Sequence, residues 1–146
     1  MAERLYFWLQ VAASSLRTLA DRSLEAEGLT STQMGALFVI GERGSCLSKD
    51  LASALRVNAS AVTPLVARLV RDGFVLRERS ADDGRAHSLS LTPAGAQAVT
   101  ASLPKLMRLN QGLQEGFSDE ELAVVGRFLR HATEHSRQLR KGAAHA

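Results

Sequence analysis

One cysteine, Cys46, stands in 146 residues. A single thiol excludes an internal disulfide and fits a reducing compartment. No apolar run approaches the ~18 residues of a membrane span. The opening, MAERLYFWLQ, lacks the basic-then-apolar layout of a signal peptide. A cytoplasmic chain with no membrane contact is expected. There is no Gly-rich phosphate loop and no metalloprotease helix motif. Its serines have no recognisable nucleophile setting. An enzyme is therefore not expected, and no cofactor is called for. His131 and His135 are spaced to share a helix face and could hold a metal. No cysteine or acidic pair stands at a companion position, so they read as solvated or subunit-facing and no metal is expected. His87 reads as a partly buried, satisfied histidine.

What is present is a modest excess of positive charge. The chain has 18 basic and 15 acidic residues, a net charge of +3 and a pI of about 9.6, a mild pointer to a polyanionic partner. Placement matters more than the total. Val62, Leu65, Val66, Leu69 and Val70 recur at the spacing of one buried helical stripe. The opposite face carries Ser60, Thr63, Pro64, Ala67, Arg68 and Arg71. It is small and polar near its start and basic near its end, which suits a helix in a DNA groove. Gly73 follows where a left-handed residue is expected to stop the helix. Most amphipathic helices only pack, so this helix alone decides nothing.

The next segment does. Phe74 to Arg79 is strand-like, Asp83-Gly84 is a hairpin turn signal, and His87, Leu89 and Leu91 alternate with Ser88 and Ser90. Arg77, Arg79 and Arg85 decorate this hairpin. A recognition-type helix followed directly by a basic hairpin is a winged helix. The expected fold is mainly α with a small antiparallel β-hairpin: a winged helix-turn-helix over residues 30–92, flanked by dimerisation helices over 1–29 and 93–146.

The flanks are read from their caps. A helix from residue 3 to about 26 carries Leu5, Trp8, Leu9, Ala12, Leu16, Leu19 and Ala20. Its Tyr6-Phe7-Trp8 cluster suits core or dimer packing, or an aromatic effector pocket. Thr30 to Gln33 is a capping box. Ser48 is expected to cap a short helix over 49–55, and Asn58 or Ser60 the next. Pro64 predicts either a helix that starts later, nearer Thr63, or a tilted first turn, with the Ser60 carbonyl unpaired by backbone, and could meet a thymine methyl. Thr92 caps a helix with Pro93 at its first position. Pro104 and Gly112 are expected to interrupt that helix, with a kink near residues 102–104. Ser118 to Glu121 is another capping box, opening a helix with Leu122, Val125, Phe128, Leu129 and Ala132. Terminal helices with too few internal partners imply a two-fold homodimer.

Asp82-Asp83-Gly84-Arg85 followed by Leu89-Ser90-Leu91-Thr92-Pro93-Ala94-Gly95 resembles the wing signature of the MarR family of dimeric winged-helix transcription factors. The resemblance covers almost the whole chain. It implies that Arg85 enters the minor groove of double-stranded DNA, braced by Asp83, and that a small aromatic or anionic effector releases the DNA. By this reading Ser60, Thr63, Pro64, Arg68 and Arg71 face the major groove, and Arg77 and Arg79 touch backbone or steady the wing. The function implied is a homodimeric repressor on a pseudo-palindromic operator. Two alternatives are a winged-helix protein-interaction module without DNA binding, which Arg68, Arg71 and Arg85 oppose, and a redox- or metal-responsive regulator.

Overall fold

A computed structural model describes residues 4–79 and 87–143, with side chains to residue 139. The order of elements is α1 (Leu5–Ser23), a 3₁₀ turn (Glu25–Glu27), α2 (Ser31–Arg43), β1 (Cys46–Leu47), α3 (Ser48–Leu55), α4 (Ala59–Arg71), β2 (Val75–Arg79), β3 (His87–Leu91), α5 (Pro93–Gln114) and α6 (Asp119–Ala143). The expected winged helix-turn-helix is there, mainly helical with one small sheet. The chain divides into two compact units, Met1–Met107 and Arg108–Ala146.

In the first unit the core is aliphatic. Leu24, Met34, Leu37, Ile40, Leu51, Val62, Leu69, Val75 and Leu89 are fully enclosed, and desolvating them is the main drive to fold. The sheet is three-stranded with order β1-β3-β2, all antiparallel. The sequence reading missed β1. Two residues carry no periodicity, and Cys46 and Leu47 become a strand only by pairing with Leu89 and Ser88.

Local chemistry explains most boundaries. The Thr30 hydroxyl accepts from the Gln33 N–H while Gln33 accepts from the Thr30 N–H, so the predicted capping box forms. A second acceptor was not foreseen. Asp21, on α1, takes the Ser31 N–H at 2.6 Å, satisfying another orphan donor of α2. α1 stops at Ser23 rather than near residue 26. Leu24 is buried, Gly28 turns left-handed at φ 68, and the Leu29 N–H returns to the Leu24 carbonyl. Ser48 is not the cap of α3 but its first helical residue, with Leu47 at the N-cap; pairing of Leu47 in β1 sets that boundary.

The junction between wing and α5 is tightly specified. The Thr92 hydroxyl accepts from the Gly95 N–H at 3.0 Å and donates to the Gly73 carbonyl at 2.6 Å. The Thr92 N–H donates to the Phe74 carbonyl. A β-carbon on Gly95 would lie 2.1 Å from that carbonyl oxygen. The Leu-Thr-Pro-x-Gly run thus has a physical reason: a cap that also ties down the end of α4, and a glycine where backbone meets backbone. α5 then runs as one helix through Pro104 and Gly112, so neither breaks it.

In the second unit, the Glu121 N–H donates to the Ser118 hydroxyl and the Ser118 N–H to the Glu121 carboxylate. This is the expected capping box. The Glu120 carboxyl is held below the usual range by a backbone hydrogen bond and by Ser118. Val124, Val125, Leu129 and Leu139 on α6 are exposed.

Two measurements test this description. Gly95→Ala forces the Phe74 carbonyl aside, so it should cost about 1–3 kcal/mol despite the better helix propensity of alanine, read as a lower Tm. Asp21 has a carboxyl held below its ordinary value by the Ser31 backbone hydrogen bond. A depressed folded-state pKa contributes stability above the unfolded pKa that is lost as pH falls through the folded one. Asp21→Ala should therefore destabilise by about 1 kcal/mol at neutral pH. The difference from wild type should vanish at acid pH in denaturant melts.

Candidate nucleic-acid interface

α4 is a two-faced helix. Val62, Val66 and Leu69 are buried and Leu65 is half-buried. Ser60, Thr63, Pro64, Ala67, Arg68 and Arg71 are all exposed, so the structure brings these predicted residues together on one surface. Val70 was expected inside but is 37% exposed. At 100° per residue it sits at the margin of the stripe, 80° from Val62, where the last turn passes the edge of the core.

The helix begins at Ala59 and carries Pro64 inside it, so it does not start late near Thr63. The first turn closes with the Ala61 N–H on the Asn58 carbonyl at 2.9 Å, a tighter 3₁₀-type bond. Proline offers the Ser60 carbonyl no donor. Ser60 lies on the exposed face, where water can serve instead. Asn58 stands at the N-cap position. At the other end Gly73 is left-handed at φ 80 and the Phe74 N–H returns to the Leu69 carbonyl, the predicted glycine stop.

The two arginines on this face differ. Arg71 donates to its neighbour Asp72 at 3.0 Å, with 70% of its side chain exposed. That is a weak, screened tie which a phosphate could displace. Among the described residues no carboxylate pairs with Arg68, so its full charge is available. The turn entering α4 holds a basic residue that the sequence reading passed over. Arg56 is left-handed at φ 55 and exposed, with the Val57 N–H closing on the Ala52 carbonyl. This is a glycine-type stop made by arginine, and nothing in the local sequence signals it. Lys49, at the start of α3, is also exposed.

In the hairpin, Val75 faces Leu91, Arg77 faces Leu89, and Arg79 faces His87. These residues share one side of the sheet. Val75 and Leu89 are buried, and Arg77 and Arg79 continue that side outward as exposed charges. The Arg77 guanidinium donates to Nδ1 of half-buried His87 at 3.3 Å, a diagonal cross-strand tie that braces the two strands. Asp83 and Arg85, with the Asp83-Gly84 turn, lie outside the described residues.

Two further features bear on regulation. A shallow groove of about 300 Å³ is lined by Phe38, Gly41, Glu42, Leu91, Ala96 and Val99. It lies between α2, the end of β3 and the start of α5, and among the described residues Glu42 is its one charged lining residue. Cys46, in β1, is only 7% exposed. Burial pushes its thiol above the usual range; Arg43 opposes this and Asp50 adds to it. A shielded, protonated thiol is a poor nucleophile. Cys46 should therefore react with a thiol reagent at least about tenfold more slowly in the native protein than after unfolding, and Cys46→Ser should leave DNA affinity unchanged.

Comparison with known proteins matches this arrangement. A model described as the MarR family covers residues 29–87. The chain is 32% identical over 128 residues to a "Putative transcriptional regulatory protein for hcr operon" of Thauera aromatica, covering 86% of this chain and 76% of that protein. It is 29% identical over 148 residues to the "Transcriptional activatory protein BadR" of Rhodopseudomonas palustris, covering 99% and 85%. Among solved structures, the M. tuberculosis regulator MOSR in complex with DNA has a TM-score of 0.82 at 25% identity, over 93% of this chain and 98% of that one. A mutant MarR from E. coli complexed with operator DNA has the same fold, at a TM-score of 0.81 and 23% identity, over 88% and 92%. A winged helix with an exposed, arginine-ended α4, matched by these relatives over most of their length, makes the chain a member of the MarR family, a DNA-binding transcriptional regulator and not an enzyme.

Proposed function

We propose that the protein acts in the cytoplasm as a homodimer on a pseudo-palindromic operator. Each copy lays α4 in the major groove, with Ser60, Thr63 and Pro64 close to base edges and Arg68 and Arg71 toward guanine or phosphate. Arg85, braced by Asp83, enters the minor groove, where a narrow groove concentrates negative potential. Arg77 and Arg79 serve the backbone, Arg77 also holding the hairpin through His87. The half-sites lie one helical turn apart, roughly 34–36 Å. The observation that carries this reading is the single exposed surface on α4 where small side chains lead to Arg68, which pairs with no carboxylate among the described residues.

Dimerisation runs through residues 1–29 and 93–146. The support is a large apolar surface on both segments: Tyr6 is 75% exposed, and Phe7, Trp8, Leu19, Val125 and Leu129 are also open. The Phe7 and Trp8 rings lie edge to face with centroids 5.4 Å apart. Apolar area of this extent on a single copy marks an interface. The aromatic cluster of α1 thus belongs to subunit packing rather than to the core.

The effector is a small aromatic compound in the groove between α2 and α5. Its apolar lining suits a ring, while the Glu42 carboxylate disfavours an anion. A ligand there must favour the subunit spacing that misfits the operator. Release on effector binding makes the protein a repressor by exclusion. One relative is named as an activatory protein, so reporter transcription with and without the protein decides the sign.

Selection of bound sequences from a random duplex pool tests the whole reading and should return two inverted half-sites one turn apart. On the selected operator, Arg68→Ala should cost on the order of 1–3 kcal/mol and relax one base preference. Arg85→Ala should weaken binding with little change in base choice and reduce the salt slope. Binding that is insensitive to salt, or a pool that stays random, would overturn it.

A further inference from the structure

We propose that Lys105 and Glu27 are positioning residues for operator recognition, an ion pair that sets the direction in which α5 leaves the reading module. This rests on the dimer reading above. The Lys105 ammonium donates to both Glu27 carboxylate oxygens at 2.7 Å. The two residues are 78 positions apart in sequence. The side chains are only 27% and 14% exposed, so the pair is shielded from the solvent screening that weakens exposed surface pairs to insignificance.

Its place in the fold gives the pair its role. α5 is anchored at its start by Thr92 and Gly95. One anchor leaves a helix free to pivot. The fully buried side chains of the seam that follows are small, Gly95, Ala98 and Ser102, with half-buried Val99 and Leu106 packed against the core beside them. Small side chains make a smooth contact that tolerates several crossing angles. The Ser102 hydroxyl is fully enclosed and has no partner among the described residues, so it adds no directional bond there. Lys105 supplies the second anchor, roughly 18 Å along the helix.

Glu27 is a fixed receiver. Its 3₁₀ turn is pinned by buried Leu24 and Leu29, by the left-handed Gly28, and by the Leu29 N–H on the Leu24 carbonyl. Ion pairs of this kind select one geometry more than they add stability. A swing of about 10° over that lever moves its end by about 3 Å, close to one base-pair step of 3.4 Å. In a dimer built on the helices beyond, this changes the distance between the two α4 helices by about one base pair.

The test uses the full-length protein, a set of operators whose half-sites are moved by one base pair either way, and an isolated half-site. Wild type should prefer one spacing by about tenfold. Glu27→Gln and Lys105→Met should each compress that preference to less than about threefold while binding the isolated half-site as wild type does. The exchanged pair, Glu27→Lys with Lys105→Glu, should regain selectivity, and the neutral pair, Glu27→Gln with Lys105→Gln, should not. Thermal melts report the folded fraction of each variant. A uniform loss at all spacings that tracks the folded fraction overturns the positioning role, as does an unchanged spacing ratio in both single variants. A wild type that sediments as a monomer on DNA removes the dimer reading and this inference together. A dimeric wild type whose spacing preference survives in the single variants removes this inference alone.

Discussion

Val62, Val66 and Leu69 hold α4 against the aliphatic core, and the display of everything on its other side follows from that attachment. A helix cannot bury one stripe without presenting the opposite one. Removing three branched side chains from water holds the helix rotation, so Ser60, Thr63, Pro64 and Arg68 share one outward surface. The same core receives Val75 and Leu89 from the hairpin. α4 and the two strands that follow it are therefore parts of one packing solution.

That solution is extended to α5 by close backbone contact. Thr92 bonds to the end of α4 and to the first turn of α5, and Gly95 lets α5 approach the Phe74 carbonyl. The reading module is rigid where α4, the hairpin and α5 converge. It is less specified along the small-residue seam of α5, where an ion pair stands in for shape.

Electrostatics on the proposed DNA side is economical. Net charge is only +3, yet Arg68, Arg71, Arg77 and Arg79 stand exposed, and among the described residues no carboxylate pairs with Arg68. Arg77 and His87 spend their polar groups on each other across the strands. The lone thiol lies in a buried strand against the core, shielded from solvent.

Much of the fold was legible from local pattern alone. The caps at Thr30, Thr92 and Ser118, the stripe of α4 and the glycine stop at Gly73 each depend on residues within a turn or two of one another, so their spacing encodes them. The exposed face of α4 follows for the same reason. What sequence pattern could not hold are contacts whose partners are distant: Asp21 capping α2 from ten positions away, β1 existing only against β3, and Lys105 meeting Glu27. The margin of burial at Val70, the cap at Leu47 rather than Ser48, and the arginine in a glycine's conformation at Arg56 were also settled by packing. Local chemistry thus determined which segments are helices and which faces could read DNA. Tertiary structure decided where those helices end and how they are braced, because desolvation and long-range pairing act between residues that have no fixed spacing in the chain.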